Sequence, residues 1–260
     1  MCHPEVPAGT PLPDVRVQDV AIEVDDGRLP GILALPVRTP APGVLVVNDV
    51  FGRSPFYDHL TRRIAQAGFV ALDVEYFFRQ APVAPDDREG ATARARQLDQ
   101  MGTLDDLDQA VEWLKARPEV RGGRVGTIGF CMGGTLVLDL AASRTDLATV
   151  CYYGFPARRG ENPLAPPAPL EVAEEMTGPI LGHWGDQDAG VGMENVKALD
   201  EQLRAAGVDH TWHIYPGVGH GFLKSFLEKE SAVEAGERQG YAHACDSWKR
   251  TLEFWRKHLR

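Results

Sequence analysis

Residues 127–135 read TIGFCMGGT, and their chemistry centres on Cys131. Gly129 lies two residues before the cysteine and Gly133 two after it. A strand that turns into a helix within a couple of residues holds the residue at the turn in a strained conformation, exposed at the carboxyl edge of a sheet. Side chains at 129 or 133 would collide with neighbouring backbone in such an elbow. The helix predicted from Met132 onward aims its amino-terminal dipole at Cys131, which favours the thiolate. The competing reading is a buried free cysteine between two tightly packed glycines, and the short motif alone does not decide between them.

A nucleophile at an elbow needs a carboxylate and then a histidine base, in that chain order. Eight histidines are available. His3 and His258 are terminal, His59 precedes the elbow, and His243 falls in the last helix. His183, His210 and His213 sit in or beside strands, where packing explains them. His220, in YPGVGHGF, follows a strand within a glycine-rich loop, which suits a base held above the sheet edge. For the acid, GDQDAGV offers Asp186 and Asp188. Asp188 lies further into the loop and is preferred, while Asp186 suits a turn cap. The D-x-D-x-G spacing is too incomplete for a calcium loop. A metal held by His210, His213 and His220 is disfavoured, because strand residues three apart face opposite sides. No metal site is expected.

The elements around these residues alternate. Residues 15–24 and 28–36 flank a predicted hairpin turn at Asp26-Gly27. Strands follow at 43–50, 69–77, 124–130, 148–154, 179–185 and 210–216. Helices are predicted at 56–68, 103–117 with Thr103 as N-cap, 133–143, 192–206 and 241–259. This order predicts an α/β fold: a mostly parallel sheet with helices on both faces and an antiparallel hairpin at its start. The proline-rich stretch 155–178 reads as an irregular lid or rim.

The chain has 260 residues, 43% hydrophobic and 25% charged, enough for one core. A single domain over 15–260 is expected, with 1–14 an irregular extension. The net charge of -10 argues against nucleic acid and anionic membranes as partners, though local basic residues can still hold a small anion. Cys2, Cys131, Cys151 and Cys245 are widely spaced, as expected of a reducing compartment. The amino-terminal stretch lacks the regions of a signal peptide, and no apolar run is long enough to span a membrane. A cytoplasmic protein is expected.

Six stretches in order, VVNDVFG (46–52), YFFRQAP (76–82), IGFCMGG (128–134), YYG (152–154), GDQD (185–188) and GHGF (219–222), resemble the dienelactone hydrolase family of the α/β-hydrolase fold. The resemblance covers residues from about 40 to 256. It implies a triad of Cys131, Asp188 and His220, and no cofactor. It also implies a monomer acting on a small anionic lactone, a carboxymethylenebutenolide formed in aromatic-ring degradation. The N–H groups of Val50 and Met132 would form the oxyanion hole. Asp49 stands where the family has a glutamate that controls the thiol. It is shorter by one methylene, and a turn-forming role competes. Arg79 matches an arginine that binds the substrate carboxylate. Lys224 stands at a second arginine position, keeping the charge without the two-pronged grip. The expected activity is lactone or ester hydrolysis through a Cys131 thioester. The alternatives are a broad carboxylesterase or thioesterase, and a non-catalytic ligand-binding protein on the same scaffold.

Overall fold

The computed structural model describes residues 13–84, 87–158, 160, 162–223 and 238–260. Lys224 and nearly all of the 1–14 segment therefore lie outside the described residues.

Eight strands form one sheet: β1 (Arg16–Val24), β2 (Gly27–Leu35), β3 (Gly43–Val47), β4 (Val70–Val74), β5 (Val125–Phe130), β6 (Leu147–Tyr152), β7 (Ile180–Gly185) and β8 (His210–Tyr215). Their spatial order is β1-β2-β4-β3-β5-β6-β7-β8. β1 and β2 pair antiparallel, and β2 runs antiparallel to β4. From β4 to β8 every pairing is parallel. The strands from β3 to β7 are buried throughout, which is why they read as continuous apolar runs.

The helices are α1 (Pro55–Gln66), α2 (Arg88–Arg96), α3 (Gln100–Lys115), α4 (Met132–Ser143), α5 (Met193–Ala205) and α6 (Arg238–His258). Alternate strand residues feed two cores. Val44 and Val46 join side chains of α1 and α6, while Leu45 and Val47 join those of α3 and α4. On α6, Ala244, Trp248, Leu252 and Trp255 are buried, and Trp255 meets Phe69 at 5.5 Å between ring centres. Full burial of each such large side chain contributes about 1.5–3 kcal/mol.

Three local differences from the sequence reading have physical causes. β3 ends at Val47 rather than at 50, because Asn48 turns inward and its amide donates to Asp73 Oδ1 (3.1 Å) and the Val74 carbonyl (2.9 Å). α3 starts earlier than predicted: Asp99 caps it by accepting from the Gly102 N–H, and Thr103 donates back to the Asp99 carbonyl inside the helix. α2 was not predicted at all. It carries one buried residue, Ala91, so it leaves no apolar stripe to read. Among the described residues no helix is long and apolar enough to cross a membrane.

Candidate active site

β5 runs directly into α4, and Cys131 occupies the junction with φ 56° and ψ -117°. A left-handed non-glycine residue costs on the order of 1–3 kcal/mol and persists only where its surroundings hold it. Here the Cys131 N–H donates to the Tyr152 carbonyl (3.0 Å), and its own carbonyl accepts from Thr135 N–H (3.2 Å). The flanking glycines are needed for close approach. A Cβ on Gly129 would run into the Gly133 carbonyl, and one on Gly133 into the carbonyls of Val47 and Asn48. The elbow is thus wedged between β3 and β6. The first-turn N–H groups of α4, Met132 among them, have no partner within the helix, and its positive end lies at Cys131.

The β7 and β8 loops bring the acid and the base to the same edge. His220 Nδ1 donates to Asp188 Oδ2 at 2.7 Å. The Asp188 side chain is fully buried. Its other oxygen accepts the N–H groups of Gly190 and Val191, each at 3.1 Å. Asp186 does the other job: its Oδ1 accepts the Gly217 N–H at 2.8 Å and caps the turn before His220. The His220 ring lies between Tyr153 and Phe155, and it lines the same cavity as Cys131. Burial by itself lowers the pKa of this imidazole. The hydrogen bond to Asp188 and the nearby Cys131, with the charges of both, outweigh it and push the value up to about 10.

Two of the other histidines have clear structural partners. His183 is buried between the hydroxyls of Tyr215 (3.2 Å) and Thr251 (3.3 Å), and burial drives its pKa well down. His210 binds the Val208 carbonyl and Asp200.

Asp49 follows β3 and is buried, with Oδ1 accepting the Phe51 N–H at 2.9 Å. That contact is the turn-forming role. The Tyr57 phenol is raised well above its usual pKa, first by burial and then by the charge of Asp49, with a smaller contribution from Cys131. Tyr76 responds to the same two charges. Asp49, Tyr57 and Tyr76 therefore share one neighbourhood with the thiol. The Tyr76 hydroxyl contacts the carbonyls of Asn48 (3.2 Å) and Asp49 (3.0 Å), and Arg94 from α2 donates to the Val50 carbonyl at 3.0 Å.

A cavity of about 850 Å³ opens over these groups, with Cys131, His220, Val50 and Met132 in its lining. The 155–178 stretch forms one rim through Phe155, Arg158 and Pro166. Arg158 fastens that rim. It donates to Asp139 (2.9 Å) on α4, to Gln100 (3.1 Å) on α3, and to the carbonyls of Pro166 and Pro167. Arg79 is not brought to this cavity. Its guanidinium makes a two-pronged pair with the buried Asp106 on α3 and packs over Phe78. The sequence reading missed Tyr57, Tyr76, Arg94 and Arg158. Tyr76 and Arg158 lie in irregular segments with no periodic signal, the burial of Tyr57 on α1 marks it as core, and only the Asp87 cap before α2 pointed to the helix that carries Arg94.

The sequence profile of the dienelactone hydrolase family matches residues 29–259. A carboxymethylenebutenolidase of Rhodococcus opacus is 31% identical, covering 100% of this chain and 98% of its own length. A Bradyrhizobium protein described as a 2-oxo-3-(5-oxofuran-2-ylidene)propanoate lactonase is 28% identical over 87% of this chain and 88% of its own. Among solved structures, a Klebsiella pneumoniae protein described as a dienelactone hydrolase superposes with a TM-score of 0.83 at 26% identity, covering 94% of this chain and 100% of that one. With the elbow, the strand order and a profile match over nearly its whole length, the chain belongs to the dienelactone hydrolase family, within the α/β-hydrolase fold.

Proposed function

We propose that the protein hydrolyses lactones or esters through a thioester on Cys131. What supports this most is that His220, bonded to Asp188 at 2.7 Å, lines the same cavity as Cys131 at its strained elbow. The Cys131 thiolate attacks the acyl carbon, and the carbonyl oxygen takes up the charge against the N–H groups of Met132 and Val50. Collapse breaks the ring or ester C–O bond, and the His220 imidazolium protonates the departing oxygen. Forming the thioester removes the negative charge that favoured the imidazolium. Burial then opposes the imidazolium with only Asp188 still supporting it, and His220, having given up its proton, can accept one from water. Hydroxide adds to the thioester, the C–S bond breaks, and the free acid leaves with the thiolate restored. Asp188 holds the ring in place throughout. Asp49 is assigned to control of the thiol, in the place of a longer acid.

The substrate class follows by likeness to the Rhodococcus opacus relative, a carboxymethylenebutenolide or a similar small lactone. The cavity of about 850 Å³ favours a second reading, a broader carboxylesterase, since a pocket of this size takes a drug-sized ligand. The test is acyl trapping. Brief exposure to p-nitrophenyl acetate should add an acetyl mass on the peptide containing Cys131. The Cys131→Ala protein should show neither the adduct nor turnover above background, and wild-type turnover in that variant removes the mechanism.

A further inference from the structure

The cavity has a cationic wall that the sequence motifs did not mark. Arg88, Thr92, Ala95 and Arg96 of α2 all line it. Their spacing of four, seven and eight residues places them on one face of the helix. Arg88 and Arg96 are separated by about 12 Å along the axis, and the small Thr92 and Ala95 leave a groove between them. Arg94 lies on another face of α2 and is turned into the protein, stacked over Phe77 at 3.8 Å and bonded to Val50.

The engagement of these cations differs. Arg79 is held by Asp106, and Arg158 by Asp139, Gln100 and two carbonyls. Arg88 and Arg96 are exposed, and among the described residues neither has a carboxylate partner. In a chain of net charge -10, two uncommitted guanidinium groups on a cavity wall create a local field of the opposite sign. The remaining lining includes Met132, Leu136, Phe155 and Pro166, which suit an apolar body. The volume of about 850 Å³ is more than a single-ring lactone fills.

We propose that Arg88 and Arg96 form the anion-binding wall of the site. They select a carboxylate-bearing ester or lactone with an apolar body, its acid group at the end remote from the reacting carbonyl. This rests on the hydrolase reading for its kinetic test, but its binding test does not. Guanidinium recognises a carboxylate with two parallel hydrogen bonds, and at this exposed position the attraction is weakened by salt.

The kinetic test compares p-nitrophenyl acetate with the p-nitrophenyl half-ester of suberic acid. In the Arg88→Gln/Arg96→Gln protein, the ratio of kcat/KM for the half-ester to that for the acetate should fall about tenfold. Most of the loss should appear in KM and shrink as salt is raised. An unchanged ratio overturns the proposal, as does a fall produced by Arg79→Gln and not by the α2 pair. The binding test uses calorimetry of suberate with Cys131→Ala protein, where no chemistry intervenes. Binding should weaken about tenfold when the two arginines are replaced, and equal binding overturns the proposal. Failure of acyl trapping with arginine-dependent suberate binding retained would count against the hydrolase reading alone.

Discussion

The Tyr76 hydroxyl sits 3.0 Å from the Asp49 carbonyl, and that contact fixes a peptide plane whose N–H belongs to Val50. A trans peptide directs its N–H opposite to its carbonyl. Holding the Asp49 carbonyl against Tyr76 therefore aims the Val50 N–H the other way. Gly52 N–H meets the same carbonyl at 2.9 Å, so removing the phenol leaves one restraint in place. Tyr76→Phe should lower kcat about tenfold with KM nearly constant, less than the loss of a whole oxyanion donor. Tyr76 is a positioning residue, so alkylation of Cys131 by iodoacetamide should keep its rate. Equal loss of kcat and thiol reactivity would mean general damage to the site instead.

His220 gives a pH prediction. Burial lowers its pKa, while Asp188 and Cys131 push it up to about 10. The imidazolium is therefore the resting form at neutral pH. Removing the negative partner in Cys131→Ala should move the His220 titration downward, toward the usual histidine range, and Asp188→Asn should do the same. The measurement is the chemical shift of the His220 ring carbon across a pH series. A titration that stays near 10 in Cys131→Ala would show that the thiolate is not its partner.

The sheet and the elbow at Cys131 were legible because their signals are local. Continuous apolar runs marked buried strands, and glycines around Cys131 marked a place where backbones touch. Asp188 could be preferred over Asp186 only by its place in the loop, and the hydrogen bonds that separate the two roles are long-range. Arg79 shows the limit. Its surrounding motif matches a substrate-binding context, but whether a cation is free depends on the acid that α3 places beside it. Asp106 is twenty-seven residues away in sequence, and no local pattern couples the two. α2 was invisible for the reason that makes it useful: a helix that covers a cavity mouth buries little and keeps its charges.

Asp73 on β4 yields a stability prediction. It is fully buried below the turn that carries Asp49. Burial raises its pKa to about 8, although the Asn48 amide and Arg53 oppose the shift. The folded protein therefore keeps a proton that the unfolded chain loses near pH 4. Between those values the folded state binds more protons, so stability falls as pH rises and levels off above about 8. Asp73→Asn keeps an acceptor for the Asn48 amide and cannot ionise. Its Tm relative to wild type should rise steadily from pH 5 to pH 8. A constant difference across that range would mean that Asp73 is already ionised in the folded protein.

Arg158 joins the rim to the scaffold, and its removal should act with a pH signature of its own. Asp139 is almost completely buried, and burial raises its pKa to about 7 even with Arg158 beside it. In Arg158→Met the only restraint on that rise is gone, so Asp139 stays protonated to higher pH. At pH 5 the carboxyl is neutral in the folded state with or without the arginine, and the substitution should cost chiefly the hydrogen bonds to Gln100, Pro166 and Pro167. At pH 9 wild-type Asp139 is ionised and paired, and the variant must either hold a proton or bury a lone charge. Breaking such a pair costs on the order of 3–5 kcal/mol. The Tm loss should therefore be larger at pH 9 than at pH 5. Adding Asp139→Asn to the Arg158→Met protein should remove the difference between the two pH values while leaving the rim unfastened. KM for esters should stay raised in the double variant, because the 155–178 rim has lost its attachment to α3 whatever the charge at 139. Recovery of KM together with the pH-independent Tm would place the effect in Asp139 itself, not in the position of the rim.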